Sequence, residues 1–264
     1  MRNLIVRGNS LEQDIVDDAL QRLSNSGLFV TEFRDLEMLG IELTVEFREG
    51  QIEDGLLIWH NDGVRLGLAR RYTHIDKEHL PYLLAHEVFG HALWEAKAMR
   101  ENVQTAVHFH LCNEINAHIL GWLASIGLGI KPRYRELLLD FHINPDEFKR
   151  ELPYTSPHYV LLLSTKEMQN ARQVLQERLN ALATEWVNLR SESPPVCNVN
   201  ARENRLAEMI RLVTRTITNF EAEPNNESER WLPEQSRCAV IQDLEDTSRI
   251  HEHTLRALLE RGFE

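Results

Sequence analysis

His86-Glu87-Val88-Phe89-Gly90-His91 places two imidazoles and a carboxylate within six residues of a 264-residue chain. Leu83, Leu84, Val88, Ala92, Leu93 and Ala96 recur around it at helical spacing, so the stretch reads as a helix. Pro81, tolerated in a first turn and costly deeper inside, marks its start. A second carboxylate, Glu114, follows 23 residues after His91. Two neutral nitrogen ligands, a third ligand and a nearby base are the inventory a zinc-dependent hydrolase requires.

The spacing of the histidines needs its own account, because they are five residues apart rather than four. At about 100° per residue, side chains four apart on an α-helix lie within roughly 40° of each other, while side chains five apart diverge by roughly 140°. Two imidazoles so separated share a metal only if the helix widens locally. A π-turn, with its i→i+5 hydrogen bond, brings them back into line, and such turns concentrate at functional sites. Gly90, inside that turn, lowers the steric cost of the distortion. The plain alternative has His86 in the core, His91 in solvent and nothing bound. Spacing alone leaves both readings standing.

Upstream, Ser10-Leu-Glu-Gln13 reads as a capping box opening a helix through Leu11, Ile15, Val16, Ala19, Leu20 and Leu23, which Gly27 closes. Ile41–Arg48 alternates, with Leu43, Val45 and Phe47 on one face and Glu42, Glu46 and Arg48 on the other, as in a half-buried strand. Leu56–His60 and Val64–Ala69 flank the turn sequence Asn61-Asp62-Gly63 and read as a β-hairpin. A small antiparallel sheet is therefore expected before the histidine helix. Downstream, Val103 to about Ile126 is a second helical segment, ended by Gly127, Gly129 and Pro132. Lys166–Arg190, Arg202–Glu221 and Val240–Arg261 are further amphipathic helices, separated by Pro-containing linkers.

Glu114 reaches the histidines only if the chain turns back at Arg100–Asn102. Each helical residue rises about 1.5 Å, so equal numbers out and back bring Glu114 level with His91 and His118 opposite His86. One continuous helix would instead hold Glu114 roughly 34 Å from His91. Such a helix, some 45 residues long, is rare in a domain this small, which favours the hairpin. His118 remains open as a ligand competing with Glu114, a neighbour of the ligands, or a core histidine. His108 and His110, two apart, do not face each other. Nine of the twelve histidines fall between His60 and His142, yet His60, His74, His79 and His142 read individually as surface or packing residues. Tyr72, Tyr154, His158 and Tyr159 are possible donors to a reaction anion, and Cys112 reads as a small buried hydrophobe.

His86-Glu-Val-Phe-Gly-His91 resembles the H-E-x-x-G-H motif of the dipeptidyl-peptidase III family. Asn113-Glu114-Ile-Asn-Ala117-His118 is similar to that family's second motif, E-E-x-x-A-[ED]. The tubulin tyrosine carboxypeptidases and their bacterial relatives share an H-E-x-x-x-H helix followed by a helix with Glu-x-x-Ala. The resemblance covers about 35 residues, with Asn113 and His118 standing where that family has acids. It implies zinc (Zn2+) held by His86, His91 and Glu114, with Glu87 as general base. A hairpin before the zinc helix also matches the zincin plan, in which an edge strand pairs with an extended peptide, a case of β-augmentation.

Composition bounds the rest. Hydrophobic residues are 42% and charged residues 27%, ordinary for a soluble globular chain. No apolar run approaches the roughly 20 residues of a membrane span. Arg7 interrupts any signal-peptide core at the start, so a cytoplasmic protein is expected. Three scattered cysteines indicate neither a disulfide framework nor a cysteine metal site. Net charge is −12, with 24 acidic against 16 basic residues up to 160 and 17 against 13 beyond. With both parts acidic, nucleic acid and anionic membranes are not expected partners. The expectation is an α+β, mainly α, zincin-like fold: residues 1–160 form the catalytic domain, and 161–264 a helical region covering or extending the cleft. The expected activity is that of a zinc metallopeptidase acting on a peptide or protein. The rival is a catalytically inactive zincin-like module whose helices bind a protein partner.

Overall fold

Leu4–Arg7 form strand β1, too short for periodicity to reveal, in the computed structural model. The structure describes residues 4–155 apart from 40–41, 50–54, 61–62, 75 and 102–110, together with scattered positions between 173 and 214, and residues 239–261. Helices α1 (Ser10–Asn25) and α2 (Val30–Leu39) separate β1 from β2 (Glu42–Arg48). The hairpin β3 (Gly55–His60) and β4 (Gly63–Ala69) follows. The capping box on α1 is displaced by one residue from its expected place. Asn9, not Ser10, caps the helix, exchanging hydrogen bonds of 3.0 Å with Glu12. Gly27, at φ +68°, turns the chain out of α1 through the left-handed region.

The sheet order is β1-β2-β4-β3, and here the expected antiparallel sheet is corrected. Val45 of β2 lies opposite Val6 and Leu66 in parallel ladders, so β1, β2 and β4 run together and only β3 runs against them. The alternation of Leu43, Val45 and Phe47 reports which face is buried, not the direction of the neighbouring strand. Direction comes from the connection: a two-helix crossover such as α1–α2 permits parallel pairing, while a link of only two residues between His60 and Gly63 enforces the hairpin.

The histidine helix runs from α3 (Leu80–Leu84) through a π-helical segment (Ala85–Ala92) into α4 (Leu93–Arg100). Pro81 lies in its first turn, as expected. Every residue from Leu80 to Ala96 is buried; a helix covered on all sides is central to its unit. Phe89 stacks on Phe29 at 5.4 Å and meets Phe33 edge-on at 5.0 Å, fixing one side. Helix α5 (Leu111–Gly127) lies along another side. A short helix α6 (Arg135–Ile143) follows Tyr134, which itself adopts φ 50°.

Two units compose the chain: 1–145 with 237–264, and 146–236. This differs from a division at residue 160, because helix α8 (Ala239–Glu260) returns to the first unit, where it runs along α5 and touches α4. Helix α7 (Pro145–Thr155) leads into the second unit. There, described positions between Gln173 and Val187 are helical, in keeping with the Lys166–Arg190 periodicity. Apart from Thr214, the expected Arg202–Glu221 helix lies outside the described residues. Among the described residues, no helix is long and apolar enough to cross a membrane.

Candidate metal centre

The π-helical segment does to the two histidines what the five-residue spacing demands. It spans eight residues rather than one turn, and it brings the Nε2 atoms of His86 and His91 to 3.3 Å from each other. Gly90 lies inside the segment, and it has a task beyond the one expected of it. A Cβ there would lie 2.5 Å from the Cα and Cβ of Ala117 on α5, so Gly90 is where the two helices touch. At Gly121 a Cβ would meet the Tyr82 ring at 2.6 Å. Pairing of Gly90 with Ala117 and of Tyr82 with Gly121 shows the helices antiparallel, the fold-back that Glu114 requires. Helix α4 ends at Arg100 with Glu101 as its cap.

Glu114 therefore arrives where the hairpin reading puts it. Its Oε2 lies 3.3 Å from His91 Nε2, and its Oε1 3.8 Å from His86 Nε2. One donor atom from each of His86, His91 and Glu114 falls within 4.8 Å of the other two. His118 reaches the same carboxylate, with Nε2 3.3 Å from Oε1 and its ring centre 5.0 Å from that of His86. Its Nδ1 faces the Tyr82 hydroxyl at 3.4 Å.

Asn113 settles which nitrogen of His91 faces inward. Its amide nitrogen donates to the carbonyl of Gly90 at 2.7 Å, so its Oδ1 must be the atom that meets His91 Nδ1. An oxygen there accepts, hence Nδ1–H donates and Nε2 presents its lone pair to the centre when the ring is neutral. Asn113 is fully buried, and this is the bond by which it orients the His91 ring.

Burial pulls the His91 imidazole down, but the hydrogen bond and charge of Glu114 outweigh it and hold its pKa up at about 9. His86, desolvated, is held well below its ordinary value despite Glu114. Burial pushes Glu114 up, yet hydrogen bonds from His118 and His91 keep it well below the usual carboxylate range. Without a cation, the Glu114 carboxylate thus favours a proton on His91. A divalent cation would replace that proton, and two imidazole nitrogens with one carboxylate oxygen suit it chemically. The donor set fits a metal; it does not name one.

Glu87 is also buried, and burial raises its carboxyl to about 7. His91 and Glu114 both act on its charge, which places it beside the donors. A Cβ at Gly55 would collide with the Glu87 carboxylate, so the first residue of edge strand β3 lies against it. Gly55 escaped the sequence reading, for nothing in an isolated glycine announces a carboxylate 32 residues later.

The remaining candidates are not brought to the centre. His74 is exposed and bonds Thr73, His79 pairs with Glu78, and His142 is exposed. Tyr72 is buried near the guanidinium groups of Arg71 and Arg133, each 5.4 Å from its ring centre. Cys112 is half-buried rather than buried. His108, His110, His158 and Tyr159, and the side chains of His60 and Tyr154, lie outside the described residues. No protein family, curated protein or solved structure matches this chain.

Proposed function

We propose that the chain is a zinc-dependent hydrolase, and most concretely a peptidase, with His86, His91 and Glu114 as zinc ligands and Glu87 as general base. The observation that carries this reading is the convergence of those three donors within 4.8 Å, from two helices and a sequence distance no local packing demands. Bound zinc would supply Lewis acidity, acidifying a water and polarising the scissile carbonyl. Glu87 takes the proton that water loses as its oxygen attacks the carbonyl carbon. It then hands that proton to the amine nitrogen as the C–N bond breaks. A carboxyl near pH 7 suits such two-way traffic. Asn113 and His118 hold the ligands in place, the one through His91 and the other through Glu114.

The peptidase reading rests further on β3. It is an edge strand of the sheet, and its first residue touches the proposed base. An extended peptide added to that edge would pass beside Glu87. The H-E-x-x-G-H resemblance favours the same class.

Elemental analysis of gently purified protein tests the metal, with about one zinc per chain expected. The Glu87→Gln variant should retain that zinc and lose cleavage of a peptide library by roughly 100-fold or more. A metal-free preparation that also refuses added zinc would end the proposal. Zinc bound without any cleavage by wild type would favour the inactive interaction module.

A further inference from the structure

The side of α5 that faces away from the histidines carries a second buried polar cluster. His251 of α8 places Nδ1 2.9 Å from Asn116 Oδ1 and Nε2 2.8 Å from Glu32 Oε1. All three residues are buried, Asn116 completely. His251 is the hydrogen-bond partner of the Asn116 side chain among the described residues, and Asn116 Nδ2 has none. A second link joins the same helices further along. Lys97 of α4 pairs with Asp35 of α2 at 2.7 Å and with Asp243 of α8 at 3.3 Å, its ammonium 4.1 Å from the Trp94 ring centre.

Together these contacts close a ring. Helix α4 continues the segment bearing His86 and His91, and Lys97 ties it to α2 and α8. Helix α5 bears Glu114, and Asn116 ties it through His251 to α2 and α8. The two sources of metal ligands, which touch directly at Gly90 and Ala117, are thus also joined from behind. We propose that Glu32, His251 and Asn116, together with Lys97 and its two aspartates, form a polar clamp that sets the gap between the ligand-bearing helices and thereby the metal affinity. The inference rests on the zinc reading above and makes His251 a positioning residue, acting through Asn116 on a ligand two residues away.

The physical reason is the penalty on buried polar groups. Without His251, the Asn116 amide and the Glu32 carboxylate lose their shared partner in a site closed to water. The seam between α8 and α5 must then open to admit solvent, and α5 carries Glu114 with it. Partners that orient metal ligands at one remove typically change affinity by about 10- to 100-fold when lost.

Zinc affinity of the full chain, measured by competition with a chromophoric chelator well below the melting temperature, tests the clamp. His251→Ala and Glu32→Ala should bind zinc about 10-fold more weakly than wild type. Glu32→Gln, which still accepts a hydrogen bond from His251, should restore wild-type affinity. Leu255→Ala removes buried apolar packing from α8 and should lower the melting temperature while leaving affinity unchanged. Equal affinity in wild type and His251→Ala would overturn the clamp. Should His251→Ala not fold, equal affinity in Glu32→Ala and Glu32→Gln would do the same. A wild-type chain that binds no zinc overturns the metal reading itself, and the clamp with it.

Discussion

Glu87 and His91 are buried side by side, and each departs from its ordinary protonation for a different reason. Glu87 is desolvated, so its folded pKa of about 7 exceeds the 4.5 of an exposed glutamate. The folded state therefore holds that proton more tightly than the unfolded state does. Below pH 4.5 both states are protonated and nothing is lost; the cost of ionising Glu87 grows between 4.5 and 7 and is complete above. On the order of 3 kcal/mol is involved. In metal-free protein, Glu87→Gln should match wild type in urea unfolding at pH 4 and exceed it at pH 8; a difference independent of pH would refute this. His91 runs in the same direction at higher pH, but because its charged form is favoured rather than because its charged form is costly. Its pKa of about 9, raised from 6.5, contributes stability that is full below 6.5 and lost as pH rises through 9. A zinc ion bound as proposed would have to expel the same proton. Uptake near pH 7 should release about one proton per site, and affinity should climb close to tenfold per pH unit up to about 9. Proton release followed in weakly buffered solution measures it.

At the scale of elements, the histidine helix and α5 meet through glycines, and the two contacts differ in what they press against. At Gly90 the opposing atoms include the backbone of Ala117; at Gly121 they belong to the Tyr82 ring. Backbone cannot step aside without moving the helix, whereas a ring can rotate. Gly90→Ala should thus destabilise by about 1–3 kcal/mol and weaken zinc binding, with Gly121→Ala milder on both counts. Calorimetry and the chelator assay rank them, and the reverse order would contradict the contact geometry. Much of this pair was legible beforehand. Histidines five apart share a metal only through a widened helix, and Glu114 reaches them only through a hairpin; spacing raised both readings without deciding them. The extent of the π segment was not legible, nor was the role of Gly90, because that role is written in Ala117, 27 residues away. The parallel strands were hidden for a like reason: alternation in Ile41–Arg48 encodes burial, while direction depends on α2, whose Val30–Leu39 stretch gives no sharp cap or stop.

In the whole molecule, the first unit is built from two distant stretches of chain. Helix α8 supplies Val240, Ile241, Leu244 and Leu255 to its core. A chain ending at residue 160 would leave the α8 face of α5, Asn116 included, open to water. Such a fragment should show no cooperative melting and bind no zinc, and a sharp transition with zinc bound would contradict the assignment of α8 to this unit. Full-length protein should instead gain stability from the ion, by about 2.7 kcal/mol when free zinc stands at 100 times its dissociation constant. A melting curve that ignores added zinc and chelator alike would count against the centre. That α8 is helical was readable from its own periodicity. Where it docks was not, because Glu32, Asn116 and His251 form no motif and meet only through the fold. Their separation also has a temporal side. Asn116 and His251 are 135 residues apart, and at roughly 5–20 residues per second of synthesis the ribosome needs on the order of ten to thirty seconds to cover that interval. Throughout it the histidines and Glu114 already exist as nascent polypeptide, without the brace that aligns them. A centre of this kind would take up an ion only late, once α8 has reached its place along α5.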